Sequence, residues 1–575
     1  MNAKVYNSLK EYFETEKFTE GEGDIVSTLG FDKENDGGAA NYLVESTAYT
    51  ASGEITFIDN CVICRGIKLR LLPENGVAYV EQFGAKGNQD LSKVSEADKV
   101  SFYENNSNAI QLALNSGFEK VAFFNEEYMV SGDILINEPV KVIGNSARLK
   151  LMNENSSVFT VGCQDTALED VEISDLTLEG FSTNGIGSLV SAENVGNFTM
   201  KRISFDTGKC ALCVGSLTES SYGIRIIDCK ANNINFGFEF INVSDFKIRN
   251  CTIDLAENPE SIGLIFSESC GFGTVEDISI INAGDTAVCY FGNSESWDGL
   301  AIERILFKNL LVDESNYGIK ATYNEIPLHF SNAMLVNVNY GIYLEYAKNF
   351  VVTNSSVLIK SPSTAAADAA PICVMTYAQA KFSHTQFDFP HRFIDISSCD
   401  EGELSDLVFV DCTLQKTDIA GVEGVTTPSG FGLFGVNNSE QIGVIETFDA
   451  CEFRSYIQNY SADNMPITLF APVGSGSKLI IKNCRFVNDS TCTVPYFNLD
   501  DTGKFDNIVV YNCFFENYNY TDPDDSSVFP IFGKLTNNGI SCDVSGHNIF
   551  AKCNMRSSAP DKENGTAINE MKAYE

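Results

Sequence analysis

The chain has 575 residues, 44% of them hydrophobic and 11% aromatic, with 44 Gly against 14 Pro, the composition of a folded protein. Its 78 acidic and 39 basic side chains give a formal net charge of -39, a field that repels phosphate backbones and anionic bilayers, so nucleic-acid binding is set aside and neutral glycans fit better. No apolar run approaches the ~18 residues needed to cross a bilayer, and at ~150 residues per domain the chain is either about four domains or one repeat architecture.

The first stretch, MNAKVYNSLKEYFETEKF, is charged and amphipathic and lacks the unbroken apolar core of a secretory signal, which predicts a cytosolic start. Residues 1–76 are expected to form a small N-terminal module. Within it, Cys61 and Cys64 have CxxC spacing but no second Cys or His pair nearby, so they are expected to be structural and no metal or cofactor is assigned. At residues 80–90 the chain reads VEQFGAKGNQD, expected as a short strand, a Phe-Gly pair and a turn. NNSNAIQLALNSG follows as a predicted helix, with Asn or Ser as cap, Ala109, Ile110, Ala113 and Leu114 on one face, and Gly117 at its end. Residues 77–145 thus read as an opening strand, a capping helix and first coils.

Beyond them a repeat sets in. NGIGSLVSAENVGNF, NFGFEFINVSDF, NYGIKATYNEIP and NYGIYLEYAKNF each begin with Asn and continue through Gly into an alternating strand. The Gly slot falls at 185, about 211, 237, 263, about 287, 318 and 341. In step with it runs a second marker, a polar residue followed by Cys or another small side chain: Cys229, Cys251, Cys412, Cys484 and Cys513, with Leu310 and Ser355 in the same slot and Cys451 after Ala. A small, weakly polar side chain recurring at one corner predicts a buried thiol stack rather than redox or metal chemistry.

Units of this length, holding two or three short strands and few helix signals, predict stacked β-coils. Leucine-rich repeats lack their Leu framework here, and a propeller would need hairpin signals in every blade. The expected fold is all-β, a right-handed parallel β-helix of about 12 or 13 coils over residues 146–555, followed by a polar tail at 556–575.

The run from Val80 to Gly144 resembles the opening segment of the pectate-lyase-like superfamily of β-helices, in which an FGAKGDG strand precedes a short AIQ helix and a VYFPxGTYxVSxxI strand. It departs at Gly87-Asn88-Gln89 and at Phe124-Asn125-Glu126-Glu127-Tyr128. Upstream, Gly37, Gly38, Ala39 and Tyr42, together with Pro73-Glu74-Asn75-Gly76, resemble the N-terminal module of phage tailspikes and tail-fibre proteins. That resemblance implies a homotrimeric virion tail protein assembled in the host cytoplasm, attached to a baseplate or tail partner through its N-terminal module, and binding or cleaving a bacterial surface polysaccharide. A cytoplasmic or extracellular bacterial protein is the alternative.

Aligned Gly-slot strands put Glu239, Lys320, Tyr343 and Asp395 at equivalent outward positions, with Thr322 and Glu345 two residues further along. Three long turns are expected beside them: one with Glu295, Trp297 and Asp298, one with Tyr323 and Glu325, and SHTQFDFPHRF with His384, Asp388, His391 and Arg392. Aromatic rings stack on sugars and polar groups read hydroxyls, so Trp297, Asp298, Lys320, Tyr323, Tyr343, His391 and Arg392 are the substrate-binding candidates. Glycoside hydrolysis needs two carboxyl groups ~5–9.5 Å apart, for which Glu345, Asp395, Asp388 and Glu325 are the catalytic candidates. Glu345 and Asp395 are expected two coils apart, with PICVMTY between them. The motifs of pectate lyases and polygalacturonases are missing. A polysaccharide lyase and a non-catalytic adhesin or structural component remain the alternatives.

Overall fold

The computed structural model describes residues 3–15, 18–49, 55–162, 166–185, 187–292, 304–324, 326–360, 369–389, 393–396, 404–416, 434–436, 443–455, 469–470, 478–488, 497–498, 507–517, 541–543 and 549–551. Among them no helix is long and apolar enough to cross a membrane. The chain divides into two compact units, Met1–Cys270 and Gly271–Glu575.

The first unit opens with a six-stranded sheet. Its strands are β1 (Ala3–Tyr6), β2 (Ile25–Thr28), β3 (Ala40–Ser46), β4 (Thr56–Ile58), β5 (Cys61–Cys64) and β6 (Ile67–Leu71), in the spatial order β1-β2-β3-β6-β5-β4. Helix α1 (Leu9–Glu14) is capped by Ser8, whose hydroxyl accepts from the Glu11 N–H. Alternation buries Val26, Tyr42, Val44, Leu69 and Leu71 on one side. Cys61 and Cys64 are buried thiols within β5, not joined in a disulfide.

The strand Val77–Tyr79 begins the parallel ladder. It pairs with Lys120–Ala122, which pairs with Lys141–Ile143, which pairs with Glu172–Ser174, so each coil lays its strand on the one before. Repetition of this parallel pairing around several faces makes a right-handed parallel β-helix.

Two local expectations need correction. The strand stops at Tyr79, and Val80–Phe83 is a 3₁₀ turn closed by Gly84 at φ 101°. The cause is Gln82, whose amide oxygen accepts from the Tyr79 N–H at 3.0 Å while its NH₂ donates to the Ala39 carbonyl at 3.1 Å, folding the chain back onto the N-terminal sheet. Helix α2 runs Glu96–Leu114, beginning well before the predicted Asn105, because Ser95 supplies the cap and Glu96 and Asp98 an acidic first turn. Asn106 and Ser107, expected near the cap, instead lie buried inside the helix. Asn106 donates to the carbonyls of Lys86 and Met129, both at 3.1 Å. Ala109, Ile110, Ala113 and Leu114 are buried on one face as expected, packed toward Glu127–Val130 and Ile134–Ile136 of the first coil.

In the second unit one coil can be followed through a single strand. Ile305–Thr322 supplies three faces, turning at Asn309 (φ 54°) and Glu314 (φ 63°). The next coil is Leu328–Ser331 and Met334–Glu345, turning at Asn332 and Asn337. After it come Ala347–Thr353, Ser356–Ile359 and Ala370–Val374, then Ala378–Ser383, Gln386–Phe389 and Ile394–Ile396. Inside, rings stack at coil spacing: Phe382 on Phe409 at 4.9 Å, Phe409 on Phe448 at 4.7 Å, Phe453 on Phe486 at 4.3 Å and Phe486 on Phe515 at 4.6 Å.

The two sequence markers have distinct physical causes. At two positions of the Gly slot the coils approach too closely for a side chain, since a Cβ on Gly237 would lie 2.2 Å from the Gly263 carbonyl oxygen and one on Gly318 2.7 Å from that of Gly341, whereas Ala211 and Ala287 occupy the slot in other coils. Strand register aligns 211, 237 and 263, and likewise 287, 318 and 341, but brings Leu189 rather than Gly185 to the slot. At the other marker the polar residue adopts positive φ, as at Asn309, Asn332, Asn354, His384, Asp411, Asn483 and Asn512. The residue after it points inward.

Candidate glycan-binding face

The third face of the second unit carries the outward residues singled out in the sequence. Register places Cys289, Lys320, Tyr343, Cys373 and Asp395 in one column, each a coil apart. A second column, two residues along each strand, holds Phe291, Thr322 and Glu345. The predicted alignment of Lys320, Tyr343 and Asp395 is therefore real, and Ala370–Val374 forms the coil between Tyr343 and Asp395. Glu239 stands in the first unit, between Cys213 and Ile265 in its own column, where burial raises its carboxyl.

Lys320 is the centre of this surface. Its ammonium lies 5.3 Å from the ring centre of Tyr343, 5.4 Å from that of Tyr317 and 5.9 Å from that of Phe291. Tyr317 stacks on Tyr340 at 4.9 Å and meets Tyr343 edge-on at 5.4 Å. At the next corner Tyr323, at φ 52°, stacks on Tyr346 at 5.0 Å. Phe291 and Tyr323 are 37% and 38% exposed, so the surface offers open rings. The Tyr343 hydroxyl donates to Glu345 Oε2 at 3.4 Å. Burial first, and then the Glu345 charge, raise the Tyr343 phenol and keep it protonated as a donor. Burial likewise pushes the Cys289 thiol up to about 12, partly offset by Lys320 beside it.

The three carboxylate candidates among the described residues, Glu345, Asp388 and Asp395, are not gathered at one point. Glu345 and Asp395 are diagonal rather than stacked: two coils and two residues on the sheet lattice separate their backbones by about 12 Å. Asp395 is only 4% exposed. Asp388 does not stand on a turn. Gln386–Phe389 is a strand of the second face, paired with Ser356–Leu358 and Thr413–Lys416, because alternating Phe387 and Phe389 bury inward. There Asp388 accepts from Gln386 Nε2 at 3.1 Å, and burial raises its carboxyl. Glu325, Trp297, Asp298, His391 and Arg392, with Glu295, lie outside the described residues.

Sequence reasoning missed Phe291, Tyr317, Tyr340 and Tyr346. A signal was present, since Tyr317 and Tyr340 are the aromatic residues of the two NYG repeats, and Tyr323 and Tyr346 recur at the same spacing. In the sequence Tyr317 and Tyr340 mark the repeat, and only the stacking of successive coils shows them as a column of rings.

No protein-family model matches the chain, and no curated protein matches it by sequence. Among solved structures it is similar to tailspike protein 3 of bacteriophage CBA120, with 13% identity and a TM-score of 0.44 over 78% of this chain and 64% of that one. It is also similar to the Acinetobacter phage vb_AbaP_AS12 gp42 tailspike, with 12% identity and a TM-score of 0.47 over 82% and 80% of the two chains. A third likeness is to the catalytic unit of a thermostable GH87 alpha-1,3-glucanase from Streptomyces thermodiastaticus, with 12% identity and a TM-score of 0.41 over 77% and 74%. The chain spans less than two thirds of the length of the first of these.

Proposed function

We propose that the third face of the second unit binds an extended bacterial surface polysaccharide and that the protein is a tailspike-like depolymerase hydrolysing its glycosidic bonds. The observation that carries this reading is the tyrosine surface around Lys320: half-exposed rings stacked at coil spacing on a parallel ladder, with Phe291 and Tyr323 open, beside a carboxylate held by a phenol. Rings offer apolar faces to sugar rings, while Lys320, Tyr343 and Glu345 supply donors and acceptors for hydroxyls. Trp297, Asp298, Tyr323, His391 and Arg392 complete the proposed binding set. In hydrolysis one carboxyl group protonates the leaving oxygen and another activates water or attacks the anomeric carbon. Glu345 and Asp395 are the proposed pair, with Glu325 and Asp388 as the other candidates. Residues 1–76 are the proposed attachment module for a virion partner, and the assembly is proposed to be a homotrimer in the virion tail.

One observation favours a second reading. Glu345 and Asp395 stand on different columns two coils apart, and Asp395 is buried, so its carboxyl is not open to a glycan or to water. Binding without cleavage, as in an adhesin, fits that geometry.

The test combines binding to purified bacterial surface polysaccharides with an assay for new reducing ends. Tyr343→Ala is expected to weaken binding about tenfold, ~1.4 kcal/mol. Glu345→Gln is expected to retain binding and lower turnover at least ~100-fold. Binding without new ends in the unaltered protein selects the adhesin reading. Full turnover in both Glu345→Gln and Asp395→Asn would remove those residues from the mechanism.

A further inference from the structure

The chain has twice as many acidic as basic side chains, and basic groups on its coils commonly pair with carboxylates: Arg148 and Lys150 with Glu179, Lys201 with Glu172, Arg202 with Asp175, Lys482 with Asp449, and Arg485 with Glu452. Lys320 makes no ion pair among the described residues. Glu345, the carboxylate one coil over, is engaged by the Tyr343 hydroxyl instead. Among the described residues, three aromatic rings flank the Lys320 ammonium at 5.3–5.9 Å.

Rings attract a cation without neutralising it, and they exclude water from the sides they occupy. Lys320 is half-buried, so its ammonium has part of its hydration replaced by low-polarity surface and keeps its full charge for a ligand that reaches it. An anion arriving there interacts in a lower local dielectric than at an ordinary surface lysine. Resting on the reading that this face binds glycan, we infer that the bound polysaccharide carries an acidic sugar whose carboxylate sits on the Lys320 ammonium. Tyr343 and Glu345 then read hydroxyls of the same or the adjoining residue.

The overall charge of -39 restricts the glycan further without forbidding it. Repulsion between exposed charges is screened beyond ~8 Å at physiological salt, whereas a contact ion pair beside the rings is screened much less. One acidic sugar per repeat, spaced by neutral residues, satisfies both conditions. A polyuronate with a charge on every sugar meets the protein's field along its whole length. The ligand class is therefore a heteropolysaccharide with isolated carboxylates, in place of the neutral glycan expected from bulk charge alone.

The experiment is binding of the full chain to an array of purified bacterial surface polysaccharides of known composition, followed by carboxyl reduction of each glycan that binds. Glycans containing isolated acidic sugars are expected to dominate the bound set, with reduction weakening binding at least ~10-fold. Lys320→Met should reproduce that loss on the native glycan and show no further loss on the reduced one. Lys320→Arg, which keeps the charge, should retain most of the affinity, separating charge from folding. Binding dominated by neutral glycans and unchanged in Lys320→Met, but lost in Tyr343→Ala, overturns the acidic-sugar inference and leaves the glycan face standing. If no glycan binds, or if Tyr343→Ala also binds fully, both readings fall.

Discussion

Cysteine at the recurring corner is explained by one hydrogen bond. The left-handed residue before it turns the chain, and the inward side chain then lies beside the carbonyl two residues earlier. Cys229 donates to Ile227 at 3.4 Å, Cys251 to Arg249 at 3.3 Å, Cys484 to Lys482 at 3.2 Å and Cys513 to Tyr511 at 3.3 Å. Ser355 and Thr385 make the same bond with hydroxyls, to Thr353 at 2.8 Å and Ser383 at 3.0 Å. The slot therefore favours a small side chain with one donor, which Cys, Ser and Thr share, although Leu310 and Ala333 fill it by burial alone. Ser355 also accepts from the Ala333 N–H at 3.0 Å, so Ser355→Ala leaves a donor and an acceptor without this buried partner. A loss of about 1–3 kcal/mol is expected, with Ser355→Cys recovering part of it, as read by thermal unfolding. If Ser355→Ala unfolds at the same temperature as the parent, the corner bond has no net worth. The sequence displayed the slot clearly because it repeats. It did not display Glu446, which stands on an inward column between Leu407 and Leu479, is fully buried and has neither carboxylate oxygen hydrogen-bonded. Burial raises its carboxyl well above the ordinary value.

Among the elements, the 3₁₀ turn Val80–Phe83 has the most direct consequence for pH. It carries Glu81 into the first unit's interior, where Oε1 accepts from the Tyr128 hydroxyl and from the Phe124 N–H at 3.1 Å, while Oε2 has no partner. Gly37 of the N-terminal module lies against it, at φ 92°, where a Cβ would come 3.2 Å from Glu81 Cγ. Burial pushes the Glu81 carboxyl from 4.5 up to about 7, with the Glu126 charge adding to the rise against the hydrogen bonds to Oε1. Because the folded value lies above the unfolded one, the contribution to stability is complete below about pH 4.5 and is lost as the pH rises through about 7. The contact between module and first coil should accordingly weaken between pH 5 and pH 8, by at most ~3 kcal/mol. Hydrogen exchange of Ala40–Ser46 and Glu127–Val130 would register it, and Glu81→Gln should flatten the profile. A profile equally steep in Glu81→Gln would place the pH dependence elsewhere. The sequence identified FGAKG as a boundary through its resemblance, yet read the turn as a strand, because the force that bends it comes from Ala39, some forty residues away. The same limit applies to the site: Lys320, Tyr343 and Asp395 follow from the period, but Asp388, expected on a turn, stands on a strand set by the inward burial of Phe387 and Phe389.

Across the whole molecule, the parallel stack makes each coil depend chiefly on its neighbours. Local ladders such as Phe453, Phe486 and Phe515 illustrate the point, since the middle ring is wholly buried and touches one ring on either side at 4.3 and 4.6 Å. Removing it leaves a cavity that the facing backbones, fixed by their own hydrogen bonds, close only in part, at a cost of about 3–5 kcal/mol. In a globular core that cost would be shared by the domain, whereas nearest-neighbour coupling confines it. Phe486→Ala is therefore expected to accelerate amide exchange most in Glu452–Ser455 and Phe514–Asn517, the strands paired directly with its own, and to leave Ile305–Thr322 in the same unit at its parental rate. Equal acceleration in all three would mean that the second unit opens as one cooperative body. The tyrosine face would then be exposed to any core defect. With confinement, the rings around Lys320 keep their spacing while distant coils breathe, which is the property a fixed surface for an extended ligand requires.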